Sequence, residues 1–499
     1  MEQKLNSVGI TVTVLLAFIV CNFFFRQWRL FKSATSKGCK PPPRHHQRDP
    51  FFGLDFFLQS MKASMEHRRM EFMRSLFNKY GQTWQATNFG KEMIFTIDPE
   101  NIQSVMATDF DSWGLEPLRL PALDPYMGPG VFTTDGPFWA HARAQVKPIL
   151  SKAQFSDLSR LEHHFQNFLP LLPRDGIAVD IQPILERLGT DIVTEFLLGG
   201  SVGTLIENSS VDHKEFMSAL AEADAGVGKR FLLGKLRVLF PDKKFEEACR
   251  VTHNYVDHRI DAYFRSVAEG KRSNDENKRL VLLDEVAKET TDRKLIRSQV
   301  LNILQAAGDG AAIIISNTLF LLSRHPKVEE TLRQEIASIG GQLPTYEMLK
   351  SMKYLRRVIS ESLRLFPLSP NNSRVALKDT VLPTGGGSDG KAPIFTKKGT
   401  IYSTNSYVLH RDEKLWGSDA DEFKPERWET QRQGWHYQAF GGGPRTCAGQ
   451  GLVLTQISYV LVRLLQEFKG IEKKDDRPWL EKIRLTMCNG NGVVLGFTA

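Results

Sequence analysis

Near its C-terminus the chain reads FGGGPRTCAG, from Phe440 to Gly449. Three glycines and a proline form a turn that presents one cysteine, Cys447, just before a helical pattern that starts near Gly451. A helix N-terminus and nearby backbone N–H groups stabilise a thiolate, and glycine lets the backbone approach a flat ligand closely. The stretch therefore predicts a thiolate ligand, although a lone cysteine beside a glycine turn is more often structural.

The whole stretch resembles the haem-binding signature of the cytochrome P450 family, Phe-x-x-Gly-x-Arg-x-Cys-x-Gly. The resemblance implies that Cys447 is the axial thiolate of haem b, the metal ligand that favours cleavage of the O–O bond. It also implies that Phe440 shields the sulfur and that Arg445 pairs with a haem propionate. The implied fold is mainly α-helical with a small β-sheet subdomain, preceded by one N-terminal transmembrane helix.

Upstream, the sequence ESLR places Glu361 and Arg364 on one face of a helix. At a surface such a pair contributes less than about 1 kcal/mol. In the family, a second arginine follows at the distance of Arg427, which stands in FKPERW, so the resemblance implies a network of all three side chains. A network of this kind needs bidentate guanidinium groups, and lysine should therefore substitute poorly for either arginine.

Three more residues fit the same resemblance. Trp139 and Arg143 lie one helical turn apart, after an Asp-Gly-Pro sequence that is typical of a helix start. The family's Trp-x-x-x-Arg element implies that both contact haem propionates. Arg374 matches a further propionate-binding arginine. Without the resemblance, each would be only a cation on a helix surface or at a strand end.

The resemblance covers nearly the whole chain after the N-terminal region. It is closest to the fungal alkane and fatty-acid hydroxylase branch of the family. The stretches that carry this similarity are DPFFGLDFF at 49–57, GGGSDG at 385–390, and His410 with Arg411.

A long helical pattern runs from about Arg293 to Arg324 and contains AAGDGAA at 306–312. In the family this place reads Ala-Gly-x-Asp-Thr-Thr, where the acid and the first threonine relay protons. Asp309 keeps the acid, whereas Gly310 and Ala311 replace both hydroxyls. We expect Asp309 to be catalytic, working with ordered water or a substrate hydroxyl. Glycine is costly inside a helix, so a local opening, a close ligand or close helix packing should explain Gly308 and Gly310.

The missing hydroxyls leave more than one function open. The first is monooxygenation with O2 and with NADPH-derived electrons, which the retained acid favours. The second is O2-independent isomerase or dehydratase chemistry at the same thiolate haem. A haem-binding sensor or carrier without turnover is the third.

By the family's layout, the substrate pocket would draw on residues 113–132, 301–309, 368–372 and 487–492. Their side chains are mainly apolar, with a few polar groups among them, as is usual for small-molecule sites. The apolar ones include Phe132, Leu304, Leu368 and Met487, and the polar ones are Gln305, Asn371, Asn372, Asn489 and Asn491. The asparagines favour an oxygenated secondary metabolite, such as a polyketide or terpenoid, over an alkane or fatty acid, although asparagine also serves turn geometry.

The N-terminal region contains an uncharged run from Leu5 to Phe25 that is long enough to cross a bilayer. A signal peptide would have a shorter apolar core and a small-residue cleavage site, whereas this run ends in three phenylalanines. The basic residues that follow it predict a cytosolic body. We expect an anchor with its basic stretch at 1–40 and a catalytic domain at 41–499, opened by a proline hinge at 41–43. The protein would be single-pass in the endoplasmic reticulum membrane.

Cysteine usage and charge limit the possible partners. Cys21, Cys39, Cys249, Cys447 and Cys488 are too scattered for a disulfide framework. The net charge of +8 is spread along the 499 residues, which does not suggest nucleic-acid binding. We expect a monomer that receives electrons from a membrane-bound NADPH–cytochrome P450 reductase. The candidate docking cations are Arg143, Lys147, Arg427 and Arg432.

Overall fold

The computed structural model describes residues 32–150, 156–206, 211–270 and 280–499, with residues 21, 22, 25, 28 and 29 before them. For residues 212 and 235 only the backbone is described. Helices dominate, and short strands form small sheets. The predicted mainly α-helical fold with a small β component is therefore confirmed, whereas most of the predicted membrane span at 5–25 lies outside the described residues.

Helices occur along the whole described chain. In order they are α1 (Leu54–Met65), α2 (Arg69–Tyr80), α3 (Pro99–Gln103), α4 (Glu116–Met127), α5 (Gly136–Val146), α6 (Ser159–Phe168), α7 (Ile181–Leu198), α8 (Val211–Leu233), α9 (Lys243–Ala268), α10 (Leu282–Glu289), α11 (Arg293–Ala307), α12 (Gly310–Leu322), α13 (Pro326–Ala337), α14 (Tyr346–Ser351), α15 (Lys353–Leu365), α16 (Ser406–Leu409), α17 (Glu413–Trp416) and α18 (Gln450–Glu467). Carboxylates at several starts accept hydrogen bonds from the first free backbone N–H groups. Asp98, Asp180 and Asp292 do so for α3, α7 and α11.

The strands are short and mostly antiparallel. They are β1 (Thr83–Asn88), β2 (Lys91–Thr96), β3 (Trp113–Gly114), β4 (Asp175–Asp180), β5 (Asn371–Ala376), β6 (Thr380–Gly386), β7 (Ala392–Thr396), β8 (Ile401–Asn405), β9 (Gly470–Lys473), β10 (Glu481–Ile483), β11 (Met487–Asn489) and β12 (Val494–Thr498). The largest sheet has the order β1-β2-β8-β5-β3, in which only β2 and β8 pair in parallel. A second sheet has the order β4-β12-β9, and β6-β7 and β10-β11 are separate pairs.

Helix α12 lies in the centre of the core. All of its residues are buried, and its sequence GAAIIISNTLFLL contains no charged side chain. A helix that is apolar on every side must be enclosed by other elements. Helices α7, α15 and α18 pack around it and contribute Leu188, Leu363 and Val460 to one continuous apolar cluster.

Helices α11 and α12 follow each other as one long run that is interrupted at Gly308 and Asp309. Asp309 departs from helical geometry with φ −116° and ψ −14°. The predicted local opening is therefore present. Close packing occurs at the same place, because a Cβ added at Gly189 of α7 would lie 3.2 Å from the Gly308 carbonyl oxygen. Both expected reasons for glycine in this helix thus apply to the stretch around Gly308.

The proline segment lies against the body. The carbonyl oxygen of Pro41 accepts a hydrogen bond from the Gly387 N–H at 3.0 Å, and that of Pro43 accepts one from the Gln85 N–H at 2.8 Å. These bonds fasten the segment to β1 and to the turn between β6 and β7. The division of the chain at residue 40 stays a prediction.

One described helical run, Arg293–Leu322, is long and apolar enough to cross a membrane by length and composition. Most of its apolar window is buried inside the protein. This run comprises α11 and α12, so it is a core element of the fold.

Candidate active site

The loop from Phe440 to Gly449 leads directly into α18. The Cys447 N–H donates to the Phe440 carbonyl oxygen at 2.9 Å, and the Thr446 N–H donates to the Gly443 carbonyl oxygen at 3.1 Å. Gly443 to Arg445 form a single 3₁₀ turn. Cys447 is thereby held just before the start of α18, where the helix dipole and free N–H groups favour negative charge on sulfur.

Glycine is required in this loop by space and by backbone conformation. Gly443 has φ +65°, and a Cβ there would lie 1.8 Å from the Met106 carbonyl oxygen. A Cβ at Gly442 would lie 2.4 Å from the ring of Trp435. The loop therefore packs directly against the π-helical turn Ser104–Thr108, and this contact fixes the position of the cysteine.

The Cys447 side chain is exposed, so its sulfur is accessible to a ligand. Burial raises the pKa of its thiol, while the Gly449 backbone N–H and the charge of Arg143 oppose the rise. The ring of Phe440 is partly buried against the main apolar cluster. Its shielding of the sulfur stays a prediction.

Trp139, Arg143 and Arg445 come together beside the cysteine loop. The guanidinium carbon of Arg445 lies 4.3 Å from the centre of the Trp139 ring. Its Nη2 donates to Asp135 Oδ1 at 2.7 Å. Arg143 Nη2 donates to the carbonyl oxygen of Thr446 at 2.9 Å. The fold thus gathers on one side of the loop three of the residues that the sequence analysis singled out.

Two more arginines complete the cluster, Arg374, which is buried, and Arg119, which is half-buried. Arg374 Nη1 donates to Asn372 Oδ1 at 2.5 Å, and Arg119 Nη1 donates to the Phe132 carbonyl oxygen at 3.0 Å. Burial, followed by repulsion from Arg374 and Arg445, lowers the pKa of Arg119 to about 9. Burial likewise lowers the pKa of Arg374, and that of Arg445 to about 10. No sequence pattern marks Arg119, because only tertiary structure places α4 against β5.

These cations outnumber the carboxylates that pair with them. Asp135 pairs with Arg445, whereas in the described part of the chain no ion pair to a carboxylate is formed by Arg119, Arg143 or Arg374. Buried charge without a counter-charge is unfavourable. The two propionates of a haem would supply the missing negative charge, and Cys447 would hold its iron through sulfur. The residues present therefore fit this group.

The predicted network of Glu361, Arg364 and Arg427 is confirmed. Arg364 donates to both carboxylate oxygens of Glu361, at 2.9 and 2.8 Å, and Arg427 Nε donates to Glu361 Oε1 at 2.9 Å. Trp428 Nε1 donates to Glu361 Oε2 at 3.0 Å. The surface alternative is excluded, since Glu361 and Arg364 are fully buried. Because Arg427 is also buried, its predicted role as an exposed docking cation is wrong.

A group of polar residues surrounds the interruption in the central helix. Thr486 Oγ1 donates to Asp309 Oδ2 at 2.6 Å. Burial raises the pKa of Asp309, and the Thr486 hydrogen bond opposes the rise. On α8, burial and the charge of Asp309 raise the pKa of Asp224 to about 6, while a hydrogen bond from Gln305 opposes the rise. The sequence contains no motif that identifies Asp224 or Thr486, because only the fold brings their elements to Asp309.

The asparagines of the predicted pocket are engaged within the protein. Asn371 Oδ1 accepts from Asn405, and Asn372 Oδ1 accepts from Arg374. Asn489 Nδ2 donates to the carbonyl oxygen of Gly492, which closes the turn after β11. The Asn489 contact agrees with the alternative that asparagine serves turn geometry, whereas Asn371 and Asn372 are held by partners on β8 and β5. Near the helix interruption, by contrast, Asp224 Oδ1 is buried without a hydrogen-bond partner among the described residues.

Comparison with known proteins places this geometry in a family. The cytochrome P450 family model matches residues 43–494. Cytochrome P450 monooxygenase himC of Aspergillus japonicus is 38% identical over 98% of this chain and 90% of its own length. Cytochrome P450 monooxygenase fsdH of Fusarium heterosporum is 37% identical, with 98% and 89% covered. Cytochrome P450 52A13 of Debaryomyces hansenii is 34% identical, with both chains covered completely. The chain therefore belongs to the cytochrome P450 family and is a monooxygenase of the fungal type.

Proposed function

We propose that the protein oxidises a lipophilic, partly oxygenated small molecule of fungal secondary metabolism, such as a polyketide or terpenoid. The observation that carries this proposal is the pairing of the Cys447 loop with a surplus of buried and half-buried cations for haem carboxylates. Haem b held there would supply the iron chemistry that activates O2, with electrons from NADPH delivered by a reductase. The catalytic role of Asp309 belongs to the same proposal.

The side chains around the central helix support the substrate class. Leu304 and Met487 are buried and apolar, and Leu368 and Phe132 are partly buried nearby in the predicted pocket segments. Asp224 adds a carboxyl oxygen that has no partner in the described chain. A mainly apolar site with one or two polar anchors suits a lipophilic molecule that carries a hydroxyl or amide group.

The test is stoichiometry with purified protein, its reductase and candidate metabolites. Equimolar consumption of NADPH and O2 with formation of an oxygenated product supports the proposal. Oxygen from labelled O2 should appear in the product. Consumption of NADPH without any oxygenated product, across a panel of polyketides and terpenoids, would contradict the substrate class.

A second function has a specific observation in its favour. Gly310 and Ala311 stand where two hydroxyls are expected, and this absence suits isomerase or dehydratase chemistry, which needs neither dioxygen nor reductase. Turnover of a substrate without NADPH and under anaerobic conditions would establish it. Fatty-acid or alkane hydroxylation is the remaining alternative. It would be favoured if fatty acids or alkanes bound more tightly than oxygenated metabolites.

Electron transfer would use a surface beside the cysteine loop. Among the predicted docking cations, Lys147 and Arg432 are exposed, and Arg143 is partly buried. An acidic face on the reductase would be attracted to these side chains, and such attraction accelerates association. Reductase-supported turnover should therefore fall as ionic strength rises. A flat salt profile would remove this docking surface from the proposal.

Association with the endoplasmic reticulum membrane, with a cytosolic catalytic domain, is supported by exposed apolar side chains. Phe51 and Phe52 are 80% and 64% exposed, and Val238 and Leu239 are 81% and 71% exposed. Large apolar groups at the surface are typical of contact with another apolar phase. Fractionation of cells expressing the whole chain should place it with membranes. Recovery in the soluble fraction would contradict this localisation.

A further inference from the structure

The hydroxyl of Thr486 lies against the carboxyl of Asp309, at a hydrogen-bond distance of 2.6 Å between Oγ1 and Oδ2. The two residues are far apart in sequence, since Asp309 separates α11 from α12 and Thr486 lies in the turn between β10 and β11. Asp309 is half-buried, and in the described chain the Thr486 hydroxyl is the side-chain group that donates a hydrogen bond to its carboxyl.

The turn that carries Thr486 is itself fixed. The Arg484 N–H donates to the Thr486 carbonyl oxygen at 2.8 Å, and the Met487 N–H donates to the Leu368 carbonyl oxygen at 2.8 Å. The backbone on both sides of the hydroxyl is therefore held by main-chain hydrogen bonds. A hydroxyl in such a position is preorganised for the carboxyl opposite it.

The neighbourhood of Gly310 explains why this helix carries no hydroxyl of its own there. A Cβ added at Gly310 would lie 3.1 Å from Leu368 Cδ2, closer than most carbon contacts in proteins. Leu368 thus occupies the space beside the helix, and the adjoining backbone at Met487 is bonded to it. The Thr486 hydroxyl instead reaches Asp309 from the β10–β11 hairpin, beside the space that Leu368 fills.

The charged surroundings of Asp309 favour a proton there. Glu186 on α7 and Asp224 on α8 place further carboxyls near it, and Cys488 on β11 lies within its electrostatic range. Arg484 is the nearby cation in the described chain that opposes them, and its side chain is half exposed. Screening by solvent weakens such an exposed charge. The hydrogen bond from the Thr486 hydroxyl therefore influences whether the Asp309 carboxyl is protonated.

We propose that Thr486 is the hydroxyl partner of Asp309, supplied by the β10–β11 turn in place of the hydroxyls that Gly310 and Ala311 lack. Thr486 is a positioning residue: it orients the carboxyl and passes it a proton. For each proton that Asp309 releases, the hydroxyl gives its own proton to Oδ2 and accepts one from solvent hydronium, which becomes water, so both side chains return to their starting state. The inference rests on the proposed monooxygenation.

The first test measures the Asp309 carboxyl without turnover. The protonated-carboxyl infrared band, identified as the difference between the wild type and Asp309→Asn, is followed against pH in the haem-loaded protein. Loss of the hydroxyl in Thr486→Val should raise the pKa of Asp309, because a donor to the carboxylate is removed. Thr486→Ser keeps the hydroxyl and should titrate like the wild type. An unchanged titration in Thr486→Val would overturn the proposal.

The second test measures coupling of electrons to product. Thr486→Val should lower the product formed per NADPH about tenfold and release hydrogen peroxide instead. Thr486→Ser, which keeps the hydroxyl, should form as much product per NADPH as the wild type. Thr318→Val is the control, because it removes another buried hydroxyl, which donates to Ile314 within α12. Equal coupling in Thr486→Val and the wild type would contradict the proposal.

One further variant and a readout that needs no substrate keep the tests decisive. Thr486→Ala removes the hydroxyl with a smaller side chain, so it replaces Thr486→Val if that protein does not bind haem. The infrared titration needs no substrate, so it decides the partnership of Thr486 and Asp309 even when the wild type forms no oxygenated product. Absence of product in the wild type would count against the proposed function alone.

Discussion

Arg364 donates two parallel hydrogen bonds to Glu361, from Nε to Oε2 at 2.9 Å and from Nη2 to Oε1 at 2.8 Å, and neither side chain is exposed. Its Nη1 donates to the carbonyl oxygens of His410 and Ala420 at 2.7 and 2.5 Å. One guanidinium group thus joins α15 to the segments after α16 and α17. Lysine cannot reproduce this planar arrangement of donors.

Arg364→Ala should lower the free energy of unfolding by about 3 to 5 kcal/mol, because it leaves a buried carboxylate with one of its two arginines. Denaturant unfolding measures this change. Arg357→Ala is the matched control on the same helix, since Arg357 pairs with exposed Glu429 and should contribute less than about 1 kcal/mol. Equal effects in the two variants would show that burial of the network is unimportant.

Gly443→Ala should reduce haem binding. The added Cβ would overlap the Met106 carbonyl oxygen, and φ +65° is unfavourable for alanine, so the backbone of the cysteine loop must move. The absorbance of haem per protein measures the loss. Gly228→Ala is the control, because a Cβ there meets no atom within 4 Å, and its haem content should equal that of the wild type. A fully loaded Gly443→Ala protein would contradict the expected rigidity of the loop.

Cys447→Ala should abolish the red-shifted absorption of the reduced carbon monoxide complex, because that band requires a thiolate ligand. Cys249→Ala and Cys488→Ala should retain the band, since both cysteines belong to other parts of the fold and are buried. Retention of the band in Cys447→Ala would move the ligand to another residue. Loss of the band in Cys249→Ala or Cys488→Ala, at unchanged haem content, would likewise show that the ligand is not Cys447.

Asp224→Asn should change the pH dependence of stability. The Asp224 carboxyl has a pKa of about 6 in the folded chain against an ordinary value of 3.8, because burial disfavours its charged form. Between these values the folded state binds more protons than the unfolded state, so stability falls as pH rises through that window. The asparagine side chain does not ionise, so Asp224→Asn does not lose stability in this way. The variant should therefore be more stable than the wild type at pH 7 by up to ~3 kcal/mol.

The advantage of Asp224→Asn should vanish below the window, where the wild-type carboxyl is protonated in both states. Urea unfolding above and below the window measures it. Asp124→Asn, at an exposed position, should change stability by less than about 0.5 kcal/mol at either pH. A constant difference between Asp224→Asn and the wild type at all pH values would rule out titration of this carboxyl as the cause.

Local sequence was sufficient for features whose physics is local. The glycines and proline around Cys447 predict a tight turn before a helix, and the apolar run from Arg293 predicts a long buried helix. For the two glycines within that run, the sequence offers a local opening, a close ligand or close helix packing as the reason, since glycine weakens a helix. Each inference needs only the conformational preferences of neighbouring residues.

Contacts between segments that are distant in sequence are harder to predict from the sequence. Arg119 and Thr486 reach the site from α4 and from the β10–β11 turn, and nothing beside them in the chain marks them as special. Asn371 and Asn489 were interpreted as pocket groups, but their partners, Asn405 and Gly492, satisfy them within the fold. The sequence shows which residues can hydrogen-bond, whereas the tertiary structure shows which of those bonds are already made.

The sequence by itself determined the tight turn at Cys447 and the dominance of helices, because periodicity and turn chemistry act over a few residues. The resemblance to the family, also read from the sequence, singled out Cys447 and Asp309 as candidate site residues. Only the tertiary structure decided that Arg427 is buried, that Arg119 joins the cation cluster and that a hydroxyl faces Asp309. The physical reason is that burial and electrostatic pairing depend on distance in space, which the packing of α4, α8, α15 and the β10–β11 hairpin sets.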